Sequence, residues 1–293
     1  MITKTQLLLP STIQLLRFPF SFFLMPVYWF ALSQVAEVNI FHTLLIFMIL
    51  HLLVYPASNG YNSYMDRDTE SIGGVQHPMQ PSHQLLYATV LMDSVAVIMS
   101  CFIDLYFALG VLLYILVSKA YSYRGIRLKQ YPVAGYITVI LFQGAATFAL
   151  VYHGCSADKT LQVPALAMIA ASLLIGGFYP LTQIYQHDAD LKDGVKTISY
   201  RLGYRGTFVY CGIIYTVAFV VLAFYFFYTL QTKAFYIFSL CMLPVIVYFL
   251  IWARKVWHNY IYADYSNTMR MNRIASICIN IAFITIFIVN HFE

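Results

Sequence analysis

The chain has 293 residues, 61% of them hydrophobic and only 10% charged, with a formal net charge of +5. An average soluble domain carries about 25% charged residues, so this composition lacks the charged skin of a soluble protein of its size. A secreted disulfide scaffold, a nucleic-acid-binding domain and a disordered tail are excluded.

Long uncharged runs set the class. Residues 38–65, 130–157 and 160–187 contain no Asp, Glu, Lys or Arg, and neither do residues 206–232. A helix needs about 20 apolar residues to cross a bilayer. An outer-membrane barrel would instead show alternating segments of about ten residues. The sequence therefore predicts an all-α polytopic membrane protein. Nine spans are expected, near 12–34, 38–57, 85–103, 105–122, 133–152, 163–181, 206–229, 234–253 and 273–291. The third and fourth form a hairpin turning at Asp104. No linker is long enough to separate domains, so residues 1–293 are expected to form a single domain. Lys4 and Arg17 flank a short apolar stretch without a small-residue cleavage site, so the N-terminus does not read as a cleaved signal.

Orientation follows from the loop cations. Lys4, Arg17, Arg67, Lys119, Arg124, Arg127 and Lys129 fall on one side, as do the basic residues after spans six and eight. The other side holds only Lys159 and Lys233. The N-terminus and the even-numbered loops are expected to be cytoplasmic and the C-terminus outside, in what reads as a bacterial cytoplasmic membrane. The five cysteines form no CxxC pair and read as free, small apolar residues.

Six of the twelve acids fall in two clusters on the same expected side. Asp66, Asp68 and Glu70 follow span two; Asp188, Asp190 and Asp193 follow span six. Asp66 and Asp190 are 124 residues apart, each after an even-numbered span, which suggests a four-helix unit used twice with a ninth helix added. If span two continues as a helix, Asn62, Asp66 and Glu70 share one face, being spaced i, i+4, i+8. Thr182, Gln186 and Asp190 repeat that spacing. Two oxygen-rich faces of this kind suit a hard cation such as Mg²⁺, which takes one or two carboxylates and completes its shell with water and substrate phosphates. Arg67, Arg127, Lys129 and Lys196 lie nearby in sequence to meet remaining phosphate charge. Acids, bases and an apolar core together point to a diphosphate with a lipid tail. The bland alternative is a pair of solvated loops whose charges stop the helices; the matched spacing argues against it.

At these residues the chain resembles the UbiA superfamily of intramembrane prenyltransferases. Residues 62–70, NSYMDRDTE, are similar to that family's NDxxDxxxD motif, with Asn62, Tyr64, Asp66 and Arg67 matching and Glu70 in place of Asp. Residues 186–203 resemble its second, DxxxD-type motif through Asp190, Gly194, Lys196, Thr197, Arg201, Leu202 and Gly203. Tyr121, Ser122, Arg127, Leu128 and Lys129 resemble a third stretch after span four. Two positions depart from the pattern: Ser63 and Gln186 stand where the family usually has Asp, and the stretch at 71–81 lacks the common NRPxRP.

The resemblance implies a nine-helix bundle that binds a polyprenyl diphosphate through Mg²⁺, with Asp66 and Asp190 as the catalytic carboxylates. Asn62, Glu70 and Gln186 join them as metal ligands, and Arg67, Arg127, Lys129 and Lys196 bind the substrate's phosphates. The acceptor is an aromatic compound or a lipid. A membrane terpene cyclase without acceptor is a close rival, and a secondary transporter or lipid carrier a more distant one. A transporter should show paired intramembrane charges near the midplane, and the spans offer only Asp93, either a functional acid or a partner for a neighbouring helix. His42 and His51, nine residues apart on span two, face opposite sides of a helix, which disfavours a shared haem. His187 adjoins the second cluster and reads as a satisfied loop histidine ahead of a diphosphate contact.

Overall fold

The computed structural model describes residues 8–292; Lys4, counted above among the cytoplasmic cations, lies outside the described residues. Among the described residues nine helices are long and apolar enough to cross a membrane: α1 (Pro10–Ser33), α2 (Ile40–Asp66), α3 (His83–Ser100), α4 (Leu105–Ser122), α5 (Pro132–Cys155), α6 (Ala165–Lys192), α7 (Ile198–Tyr228), α8 (Thr232–His258) and α9 (Tyr265–Phe292). Helices satisfy every backbone donor and acceptor within themselves, which hydrocarbon requires.

All nine expected spans are present, and the α3–α4 turn is where it was expected. Asp104 caps α4, its carboxylate accepting from the Phe107 N–H at 2.7 Å. The lengths differ. α2 runs nine residues past the end expected at 57, α6 eleven past 181, and α9 starts eight before 273. Hydropathy marks only the part of a helix that meets lipid, whereas the backbone ladder continues until a residue breaks it. In α7 the extra turn at the start is set off by Gly203, whose φ of 68° and ψ of 175° kink the helix. All five cysteines are free.

Backbone contacts divide the chain into two compact units. The first contains the described residues up to Ser21 together with Phe47–Arg127. It thus holds the start of α1, most of α2, and α3 and α4. Its small core of Leu15, Leu16, Ile72 and Leu85 is wrapped by Tyr64, Val75 and Met92. Gly60 lets these helices approach closely, because a Cβ there would meet the Thr89 and Leu85 side chains at 2.9 and 3.1 Å. α2 passes through a π-helical segment, Met48–Val54, just before Pro56. A proline inside a helix lacks the N–H of its turn and crowds the preceding carbonyl, and a wider local turn relieves both.

The second unit contains Phe22–Ile46 and the chain from Leu128 onward. Small residues on α6 bring its neighbours close, as is common between helices in lipid. Gly144 of α5 lies against the Ser172 backbone, and the Ala145 N–H donates to Ser172 Oγ at 3.0 Å. Tyr136 donates its hydroxyl to the Gly176 carbonyl at 3.0 Å, and Gly177 faces the Tyr215 ring. Phe30 stacks on Phe283 with centroids 4.4 Å apart, joining α1 to α9.

Candidate diphosphate and metal site

In the first unit α2 and α4 meet along a polar seam. Ser58 hydrogen-bonds Ser118 at 2.5 Å, and one turn on Asn62 donates to Ser122 Oγ at 3.0 Å. Asn62 also donates to the Asp66 carboxylate at 2.9 Å, and Arg127 brings its guanidinium to 3.9 Å from the other Asp66 oxygen. Both partners are well covered, the Arg127 side chain 9% exposed and that of Asp66 6%. The i, i+4, i+8 face that the sequence predicts is therefore real, but it runs Ser58, Asn62, Asp66.

Glu70 is not on that face. α2 ends at Asp66 because Arg67 adopts the left-handed conformation, φ 55°, and donates its N–H to the Ser63 carbonyl at 3.0 Å. Glu70 and Arg67 are exposed in the following loop, and Ser63 is buried. The loop itself is pinned. Ile72 and Val75 exchange two backbone hydrogen bonds across Gly73–Gly74, with Gly74 at φ 83°. Arg17 donates to the carbonyls of Gly73 and Asn59, and Gln14 contacts His77 and Met79.

Two residues that sequence reading counted only as loop charges take structural posts here. Arg124 caps the C-terminal end of α2, donating to the carbonyls of Met65 at 2.8 Å and Asp66 at 3.4 Å, where the helix dipole favours a cation. Lys119 is in the last turn of α4, 2.6 Å from Asp93 of α3 and over the Tyr61 ring at 4.1 Å. Asp93 thus has a helix partner, and its counter-ion stands one residue along the chain from nothing polar but Ser118. A search for a basic residue at matching depth on the next helix would have found it.

In the second unit α6 carries the other acidic stretch. The predicted i, i+4, i+8 regularity of Thr182, Gln186 and Asp190 is interrupted by a 3-10 turn, Ile184–Gln186, after which the helix resumes at His187–Lys192. Thr182 turns back to the Tyr179 carbonyl at 2.7 Å. Gln186 and Asp190 are half-buried, Lys129 is half-buried on its own short 3-10 turn, and Lys196 is exposed. The Asp190 carbonyl accepts from the Val195 N–H at 2.8 Å, closing the turn through Gly194, whose φ is 73°.

His187 is a satisfied, buried side chain. Its Nε2 lies 2.8 Å from Ser199 Oγ, which lies 3.0 Å from Thr207 Oγ1, and Thr207 in turn donates to the Gly203 carbonyl at 2.7 Å. With the Thr207 proton committed to a carbonyl, Ser199 must donate to Thr207 and His187 to Ser199. The imidazole stacks on Tyr204 at 4.9 Å, and Tyr204 stacks on Tyr260 at 5.2 Å. This column ties the second acidic turn to the kinked start of α7. His51 is buried beside Phe47 and Tyr55, and the His42 ring meets the Lys159 ammonium.

Among the described residues no group of three or more His, Cys, Asp or Glu is placed to hold a metal by itself. A hard cation that arrives with phosphate oxygens needs only one or two protein carboxylates. Asp66 beside the Asn62 amide in one unit, and Asp190 with Gln186 in the other, are donors of that kind.

The fold is similar to a UbiA homolog from Archaeoglobus fulgidus bound to GPP and Mg²⁺, at 18% identity and a TM-score of 0.65, over 94% of this chain and 99% of that one. It is also similar to a UbiA homolog from Aeropyrum pernix K1, at 16% identity and a TM-score of 0.67, over 92% and 98%. A structure of digeranylgeranylglyceryl phosphate synthase in membranes matches at 14% identity and a TM-score of 0.61, over 96% and 97%. No curated protein matches the sequence. The model of the UbiA prenyltransferase family matches residues 23–277, most of the chain and both acidic stretches, and the chain belongs to that family.

Proposed function

We propose that this integral membrane protein transfers a prenyl group from a polyprenyl diphosphate to an aromatic or lipid acceptor with the help of Mg²⁺. The observation that carries the reading is the Asp66 carboxylate, held at the end of α2 between the Asn62 amide and the Arg127 guanidinium. A carboxylate and a cation kept together at the end of an apolar helix pair support a reading as a metal–diphosphate site over one for a neutral lipid.

In this reading Asp66 and Asp190 would hold the metal, with Asn62, Gln186 and Glu70 as the lesser ligands. Arg127, Lys129, Lys196 and Arg67 meet the phosphate oxygens. When bound, Mg²⁺ supplies Lewis-acid stabilisation of the diphosphate as it leaves. The allylic C–O bond breaks and its electron pair departs with the diphosphate. Arg127, already poised over Asp66, receives part of that growing negative charge. An electron pair of the acceptor then forms the new bond to the first prenyl carbon, and the acceptor loses a proton. The N-terminus and the loops after even-numbered helices are cytoplasmic, as the excess of Lys and Arg there indicates.

Purified protein in lipid vesicles, given labelled prenyl diphosphates with Mg²⁺ or EDTA and with or without acceptors, tests this. Mg²⁺-dependent diphosphate release with an acceptor conjugate is the expected result. Release without acceptor to a cyclic hydrocarbon would assign a cyclase. No release from any donor would overturn the diphosphate site.

A further inference from the structure

The second unit carries a groove that the diphosphate chemistry does not use. It lies between α7 and α8, with Gly212, Thr216 and Phe219 on one wall and Met242, Ile246 and Leu250 on the other. Its volume is about 330 Å³, more than twice the ~150 Å³ that accepts a benzene. Along α8 it runs from Phe238 to Leu250, about 18 Å at 1.5 Å per residue. Lipid tails are as apolar as these walls, so nothing drives the two helices together to close the groove. A space of this length and polarity takes a hydrocarbon chain.

One end of the groove is cationic. Ile246, Leu250 and Arg254 are spaced i, i+4, i+8 on α8, which places Arg254 on the groove face one turn beyond Leu250. Arg254 is exposed and has no side-chain partner among the described residues. Arg205 is two turns before Gly212 on the same face of α7, and it reaches across this end to α8. It donates to the Trp257 carbonyl at 2.8 Å and lies 5.3 Å from the Trp257 ring. A guanidinium fork carries further N–H donors beyond that one. Arg201, Lys255, Arg270 and Arg273 are also exposed at this end. The one acid among them, Asp264, already accepts from the backbone and side-chain amides of Asn267.

We propose that the groove binds an anionic phospholipid of the surrounding bilayer, its phosphate on Arg205 and Arg254 and one acyl chain between α7 and α8. Basic loop ends alone only orient a membrane protein. Basic residues aligned with a groove between membrane helices recognise a lipid head group. A metal–diphosphate is a poor match, because the one carboxylate at this end is committed to Asn267 and a metal would need it. A zwitterionic lipid would bring its own ammonium to a surface that is already positive. A phosphodiester without a cation of its own is the complement.

The test uses the full chain, stripped of lipid in neutral detergent. It is titrated with dioleoyl phosphatidylglycerol and, separately, with dioleoyl phosphatidylcholine, and bound lipid is counted by native mass spectrometry. The wild type should retain one phosphatidylglycerol per chain, held about tenfold or more tighter than phosphatidylcholine. Arg254→Gln should weaken it about tenfold, the loss of a hydrogen bond to a charged group. Lys255→Gln removes the same charge one residue away, from over the Tyr262 ring, and should cost clearly less. Thr216→Trp fills the groove from an exposed position of α7 and should weaken both lipids. If that variant does not fold, the two charge variants decide. Equal binding of the two lipids, or equal losses from Arg254→Gln and Lys255→Gln, would mean a diffuse positive surface without a site and would overturn the proposal. So would displacement of phosphatidylglycerol by farnesyl diphosphate in EDTA, which would give the groove to the prenyl donor, or a dimer that retains no lipid, which would give it to a second copy of the chain.

Discussion

Lys119 of α4 places its ammonium 2.6 Å from the Asp93 carboxylate of α3 and over the ring of Tyr61 of α2. One cation thus joins three helices of the first unit, next to the turn that carries Asn62 and Asp66. Losing one member of a buried pair strands the other charge, so Asp93→Asn should lower stability by roughly 2–4 kcal/mol, somewhat under the fully buried case because both side chains keep some exposure. The double variant Asp93→Leu/Lys119→Leu should recover most of that loss. Thermal unfolding in detergent of the single and double variants measures both effects, and equal midpoints for the two would refute the pairing as the cause.

Asp66→Ala and Asp190→Ala should each reduce Mg²⁺-dependent diphosphate release by about 100-fold or more, the scale of removing one group that stabilises developing charge. Glu70→Gln should cost far less, because Glu70 is exposed beyond the end of α2. Removal of the metal with EDTA should silence the wild type and restore on adding Mg²⁺. Initial rates with one labelled donor order the three variants.

Arg127→Gln should raise the KM for the prenyl diphosphate more than it lowers thermal stability if, as proposed, the guanidinium that stands 3.9 Å from Asp66 meets the phosphate oxygens. Arg124→Gln should show the reverse balance, because Arg124 serves the backbone carbonyls at the end of α2. Losing that cap should cost about 0.5–1 kcal/mol. Parallel measurements of KM and thermal midpoint separate the two arginines.

Gly144→Ala should destabilise by about 1–3 kcal/mol, an overpacking cost, because the new Cβ would lie 2.5 Å from the Ser172 Cα. Gly206→Ala in α7, where the nearest atom is Leu202 Cβ at 3.5 Å, should be neutral or gain a few tenths of a kcal/mol from helix propensity. Comparing the two midpoints tests whether close approach at Gly144, and not glycine itself, matters.

Much of this was legible in the sequence, and the failures share a cause. Long apolar stretches located all nine helices, and Asp104 marked its turn, because hydrocarbon imposes a length and a polarity that a one-dimensional reading captures. The ends were misjudged where a helix outlasts its apolar part, as in α2 and α6. Spacing alone placed Glu70 on the face of Asn62, but a left-handed Arg67 stops the helix four residues short. Spacing also missed the 3-10 turn before His187. Lys119 and Arg124 looked like loop charges because their partners, Asp93 and the Met65 carbonyl, belong to other helices, and such pairings exist only after folding.

The α3–α4 hairpin has a further consequence. Each of its helices has 18 residues, against 31 in α7, so each is about 27 Å long at 1.5 Å per residue. A long helix adapts to a thicker bilayer by tilting, but a helix with no spare length adapts only by drawing polar ends into lipid or by thinning the membrane around it. The polar end here is the Asp104 cap, and dragging it inward would pull on α4, which carries Ser122 and leads into Arg127. The hairpin is therefore the place where a thicker membrane should be felt first: lipids with longer tails should strain this shortest pair of helices before they disturb any of the others.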